Sequence, residues 1–227
     1  MIRPMNRRFA LLAAPLLLAA LTAATPAKRH SAAPPPPAPL AATVRVAIVT
    51  ALGTIEVDLD HAHAPRTVEN FIRYVDTRRY DGMAFYRAMR LAWGTQPNGL
   101  IQSGLSGDPR KVLKPVVHEP TDQTGVHHTS GAISMARFAP GTATSDFSIL
   151  VSDMPGLDAD PAAADPELKA GYAAFGHVVS GMDVVRKIWD APLSPTKGAG
   201  HLKGQMLDPP VKVLTVRRVA LPTPITP

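Results

Sequence analysis

Two stretches of alternating, β-branched sequence bracket most of this chain. Val44-Arg45-Val46-Ala47-Ile48-Val49-Thr50 lies near the front and Val211-Lys212-Val213-Leu214-Thr215-Val216 near the end. Period-two alternation sends successive side chains to opposite faces, so each stretch reads as a half-buried strand. Leu52-Gly53-Thr54 gives a turn signal after the first, and Ile55-Glu56-Val57-Asp58-Leu59 alternates again, which completes a hairpin. Ala64-Pro65-Arg66-Thr67 then opens a helix with proline near its start, and Val68, Phe71, Ile72 and Val75 form one apolar helical face. Met182, Val185, Ile188 and Trp189 repeat helical spacing between about Gly181 and Asp190. Between these helices lie short strands split by glycine, proline and polar clusters, Asp81-Gly82 among them, a pattern that suits an all-β barrel.

The ends of the chain read differently. Arg3, Arg7 and Arg8 precede an apolar run from Phe9 to Ala24, followed by small residues, which is the pattern of a secretory signal peptide over 1–24. The run is short for a membrane span, so membrane contact is expected only if this segment is retained. Residues 25–42, with Pro34-Pro35-Pro36-Pro37, read as an extended linker, 43–221 as one globular domain, and 222–227 as a disordered tail. The chain has no cysteine, so neither a disulfide framework nor a lipid-anchored cysteine is available. Its formal charge falls from +6 to +3 once Arg3, Arg7 and Arg8 are removed, and aromatic content is 5%, which argues against nucleic acid as partner. The expected location is periplasmic or otherwise outside the cytoplasm.

Four blocks inside the domain carry chemistry. They are Tyr80-Asp81-Gly82-Met83-Ala84-Phe85-Tyr86-Arg87, Leu100-Ile101-Gln102-Ser103-Gly104, Gly131-Ala132-Ile133-Ser134-Met135-Ala136-Arg137 and Thr144-Ser145-Asp146-Phe147-Ser148-Ile149. An arginine in an apolar strand is costly to bury without a partner or a task. In this order the blocks resemble the cyclophilin family of peptidyl-prolyl cis–trans isomerases, over about Val44 to Leu221. The resemblance implies a mainly β fold: a closed antiparallel barrel of about eight strands with two flanking α-helices, the last strand pairing near the first.

It also implies roles. Arg87 is the catalytic guanidinium, and Gln102 orients it and meets the substrate backbone. Ala136 and Arg137 offer main-chain groups to an extended peptide. Leu100, Met135, Phe147 and Leu157 form the apolar pocket or its support, and Asp146 and Ser148 fall at further binding positions. Tyr172 is the aromatic hydrogen-bonding residue of the site. The implied partner is an unfolded or flexible proline-containing polypeptide, met by a monomer without cofactor or metal. An inactive or weakly active peptide-binding module is the alternative.

Several positions depart from the family pattern. Gly99 and Ser148 stand where aromatic rings normally line the proline pocket, Asp146 replaces a glutamine, and Gly156 stands where a tryptophan lines the cyclosporin surface. Residues 91–98 form a longer stretch than in compact members, and its Trp93 is read as a surface loop residue, with replacement of a lost ring as the alternative. Elsewhere, His61 and His63, the adjacent His127 and His128, and the acidic loop from Asp158 to Leu168 are read as solvated segments rather than metal sites. Without a G-x-S-x-G elbow, a hydrolase triad is not expected.

Overall fold

The computed structural model describes residues 39–106 and 108–221, so the expected leader, most of the linker and the tail lie outside the described residues. The chain forms β1 (Thr43–Thr50), β2 (Gly53–Asp60), α1 (Pro65–Asp76), β3 (Ala84–Arg90), β4 (Gly99–Gly104) and α2 (Thr121–Thr124). It continues through β5 (Ala132–Met135), β6 (Phe147–Leu150), α3 (Pro166–Ala170), β7 (Ala174–Ser180), α4 (Met182–Trp189) and β8 (Met206–Arg218). The strands close into a barrel in the order β1-β2-β7-β5-β6-β4-β3-β8. Neighbours are antiparallel, and β8 returns to β1 with Ile48 opposite Val216. Closure removes the free strand edges that an open sheet would present.

The alternation seen in sequence becomes the inward face. Val46 and Ile48 of β1 lie opposite Val57 and Ile55 of β2, and all four are fully buried. An aromatic cluster fills the interior. The Phe71 ring of α1 lies 5.0 Å from Tyr80, 5.3 Å from Phe147 and 5.5 Å from Phe175, in tilted and edge-on geometries that suit the ring quadrupoles. Phe85 meets Phe147 edge-on at 6.2 Å.

Helix α1 lacks a side-chain cap at Ala64. The carboxylate of Glu119, distant in sequence, takes that place: it accepts from the backbone N–H of Arg66 and Thr67 and from the Thr67 hydroxyl at 2.6–3.1 Å. A negative group there satisfies orphan donors and favours the helix dipole. From α1, Asn70 donates to the Thr144 carbonyl at 2.7 Å, while Tyr80 donates to that of Ser145 at 2.8 Å. Both bonds fix the chain just ahead of β6, one wall of the site. The short helices α2 and α3 add to the two expected. α3 starts at Pro166, with Asp165 accepting from the Glu167 N–H at 2.8 Å.

Candidate active site

The decisive local feature is a bulge in β3. Phe85 pairs with Ser103 of β4 and Val211 of β8, whereas Arg87 pairs with Gln102 and Met206, so Tyr86 is an extra residue against β4, while on the other side four residues of β8, Leu207 to Pro210, intervene between the two pairings. Strict alternation would put Phe85 and Arg87 on one face. The extra residue breaks the parity: Phe85 and Ala88 are fully buried inside the barrel, and Arg87 turns to the outer face.

There Arg87 heads a row of paired positions crossing four strands, Arg87–Gln102–Ser148–Ser134. Its Nη1 donates to Gln102 Oε1 at 2.7 Å, and its Nε donates to Gln205 Oε1 at 2.9 Å. Among the described residues, its Nη2 donors are unclaimed. Two neutral amide acceptors fix the fork without neutralising it, and burial pushes its pKa down despite the nearby Tyr86 and Tyr172 hydroxyls. Gln205, in the loop before β8, is a site residue that no sequence block signalled. It is held by its own amide, which donates to the His201 carbonyl at 2.8 Å.

Beside Gln102 stands Tyr86, whose hydroxyl donates to Asp146 Oδ1 at 3.1 Å. Burial, with Asp146 beside it, pushes the Tyr86 phenol well up, so it remains a donor. Asp146 also accepts from the Ser106 N–H at 3.0 Å and the Ser145 hydroxyl at 3.1 Å. Its carboxylate thus anchors the groove from behind, a supporting place.

The remaining expected residues divide between the groove and the core. By alternation Leu100 shares the outer face with Gln102, and Ser148 lies beside it. Met135 and Phe147 belong to the barrel core. Leu157 closes the 3-10 turn Pro155–Leu157, and its carbonyl accepts from the Tyr172 N–H at 2.8 Å. The Tyr172 ring lies under the Arg137 guanidinium, 4.5 Å from carbon to ring centroid. The Ala136 N–H is spent on the Asp146 carbonyl at 2.8 Å. The main-chain N–H and C=O of Arg137 have no partner among the described residues.

Trp93 is 69% exposed, in keeping with its reading as a surface residue. The reading of His128 and Asp158 is corrected. Asp158 and His128 are not solvated: His128 is 1% exposed, with Nδ1 2.5 Å from Asp158 Oδ1 and Nε2 2.8 Å from the Ser134 hydroxyl, and His127 shares the same carboxylate at 3.0 Å. The Asp–His–Ser order is that of a hydrolase triad, assembled without the elbow motif. Ser134, however, is 3% exposed inside β5, and the chain of bonds satisfies polar groups that the barrel wall buries.

Burial pushes the His128 imidazole below the usual histidine value, against the opposing pull of Asp158. The unfolded chain then binds the extra proton more readily, so this contribution is present above about pH 6.5 and is lost as pH falls below it. Thermal melts between pH 8 and pH 5 should show a steeper loss of Tm in the wild type than in His128→Gln. Equal slopes would remove His128 as a source of acid sensitivity. At Gly156, nothing lies within 4 Å of where a side chain would start. The apolar wall that a tryptophan would supply there is absent, and calorimetry should find cyclosporin binding weaker than micromolar; a tighter complex would refute this.

Comparison with known proteins agrees with this geometry. The family described as cyclophilin type peptidyl-prolyl cis-trans isomerase/CLD matches residues 45–217. A peptidyl-prolyl cis-trans isomerase of Acinetobacter baylyi is 34% identical over 180 residues, covering 78% of this chain and 86% of that protein. Peptidyl-prolyl cis-trans isomerase A of Dickeya dadantii is 37% identical over 149 residues, 64% of this chain and 71% of its own. Among solved structures, a Cryptosporidium parvum cyclophilin type peptidyl-prolyl cis-trans isomerase superposes with a TM-score of 0.58 at 17% identity, covering 79% of this chain and 99% of that one. An eight-stranded barrel that turns one bulged arginine outward onto a glutamine, in a chain matched along nearly its whole domain, belongs to the cyclophilin-type peptidyl-prolyl cis–trans isomerases.

Proposed function

We propose that this isomerase acts outside the cytoplasm, accelerating X-Pro rotation in exported polypeptides as they fold. The observation that carries the reaction is the Arg87 fork, held by Gln102 and Gln205 with Nη2 unclaimed among the described residues. A prolyl bond rotates slowly because amide resonance gives it partial double-bond character, with a barrier of about 18–20 kcal/mol. In the twisted transition state the nitrogen regains its lone pair. A fixed cation pointing donors at that nitrogen stabilises the twisted form more than either planar one, and preorganisation means little reorganisation accompanies the step. No bond to a new atom forms, so neither nucleophile nor cofactor is required.

The peptide lies shallowly along the outer face. The free main-chain groups of Arg137 pair with its backbone, Leu100 and Leu157 face its proline, and Tyr172 offers a hydroxyl near Arg87. One chain carries every part, which supports a monomer. The extracytoplasmic setting rests on the leader-like residues 1–24.

The absent rings at Gly99 and Ser148 favour a second reading, a module that binds proline segments without turnover. Exchange NMR on a short X-Pro peptide separates them. Exchange cross-peaks that strengthen with added protein are the result expected; binding shifts without acceleration would move the protein to the second reading.

A further inference from the structure

Phe138 is the most exposed large apolar side chain among the described residues, at 95%. A lone apolar residue on a surface is ordinary. Two features make this one different.

The first is its place. Phe138 directly follows Arg137, whose main-chain groups have no partner among the described residues. The second is its rigidity. The Phe138 N–H donates to the Thr142 hydroxyl at 3.1 Å, as does that of Ala139, and the hydroxyl donates back to the Ala139 carbonyl at 2.7 Å. The Phe138 carbonyl accepts from Arg137 Nη1 at 3.0 Å. Arg137 is pinned in turn by Glu167 at 2.7 Å, by the Gly171 carbonyl at 2.6 Å and by the Tyr172 ring. The backbone is therefore locked on both sides of a ring that the fold leaves almost wholly in water. A preordered aromatic gains contact area at small entropic cost when a ligand covers it.

Resting on the isomerase reading above, we infer that Phe138 makes this protein select proline segments that also carry an apolar side chain close to the proline. The occupant is the substrate itself. A peptide paired along Arg137 is extended, so its side chains alternate, and one of those adjoining the paired residue meets position 138. Phe138 lies four positions beyond Ser134, the β5 member of the Arg87 row. That is roughly 13 Å of extended chain at most, so the apolar residue falls within about four of the proline.

The test is a peptide series. A Ser/Gly host with one proline receives a single leucine, walked from four positions before the proline to four after it. Each peptide is assayed with the full protein for affinity by titration and for exchange rate by NMR. The wild type should favour leucine at one position roughly fivefold to tenfold, through KM rather than kcat. Phe138→Ser should abolish that advantage, and Thr142→Ala, which frees the turn, should reduce it. A flat leucine profile would overturn the inference, as would a peak that survives in Phe138→Ser or a Phe138-dependent dimer with unchanged selectivity. If no peptide is accelerated yet leucine tightens binding only when Phe138 is present, the isomerase reading falls and the selectivity stands.

Discussion

Replacing Arg87 with alanine is expected to lower kcat/KM for a short X-Pro peptide by about a hundredfold to a thousandfold, the scale on which one preorganised donor acts on a transition state. The barrel should survive. Arg87 lies on the outer face, and its two partners are neutral amides, so no buried charge is left unpaired when it goes. Far-ultraviolet circular dichroism and Tm should therefore stay close to wild type while exchange cross-peaks disappear. Arg87→Lys separates charge from shape. A lysine restores the cation but not the planar fork that engages Gln102 and Gln205 together, so recovery should be small. Full activity in Arg87→Ala would remove this residue from the mechanism and with it the role assigned to both glutamines.

The second large effect concerns stability. Gly99 has φ +146, and a Cβ built there would stand 1.9 Å from the Met89 carbonyl oxygen and 3.1 Å from Trp189 Nε1. That carbonyl already accepts from the Trp189 indole at 2.8 Å, and Arg90 stacks over the same indole at 5.3 Å. A side chain at position 99 must push this cluster apart while holding a backbone angle that only glycine adopts freely. Strain and overpacking together should make Gly99→Ala cost about 3–5 kcal/mol. For a domain of this size that is a fall in Tm of roughly 6–20 °C. Gly156→Ala, with open space around it, should move Tm by no more than about 1–2 °C. Equal effects at both positions would show that the contact at Gly99 relaxes freely. The prediction bears on function too: the pocket aromatic that the family resemblance implies here cannot be installed by one substitution, because the Met89 carbonyl stands where its Cβ would go.

The frame of the fold was legible because its signals are local. The alternation of Val44–Thr50 and Val211–Val216 and the helical faces of Val68–Val75 and Met182–Trp189 each report their own burial. Arg87 and Gln102 were legible through the blocks around them. What escaped depends on contacts between distant segments. Gln205 lies in a loop without pattern and reaches Arg87 only once β8 has folded alongside β3. Glu119 caps a helix more than fifty positions earlier in the chain. His128 and Asp158 looked like polar loop residues because each satisfies the other, and a mutually satisfied buried pair leaves no mark in local hydropathy. Gly99 read as a missing ring, whereas the close approach of Met89 that demands glycine is visible only in three dimensions.

The unpaired Tyr86 carries a consequence for how this strand can change over time. Phe85 and Ala88 both turn inward with two residues between them where a regular strand has one, so Tyr86 is a residue that the outward turn of Arg87 does not itself require. Substitutions along β3 alter affinity, packing or rate by degrees. A single-codon deletion at position 86 would instead leave Phe85, Arg87 and Ala88 in plain alternation, with the guanidinium still outward but without the Tyr86 hydroxyl that donates to Asp146. What a shorter strand would forfeit is therefore the brace behind the groove and not the direction of the cation.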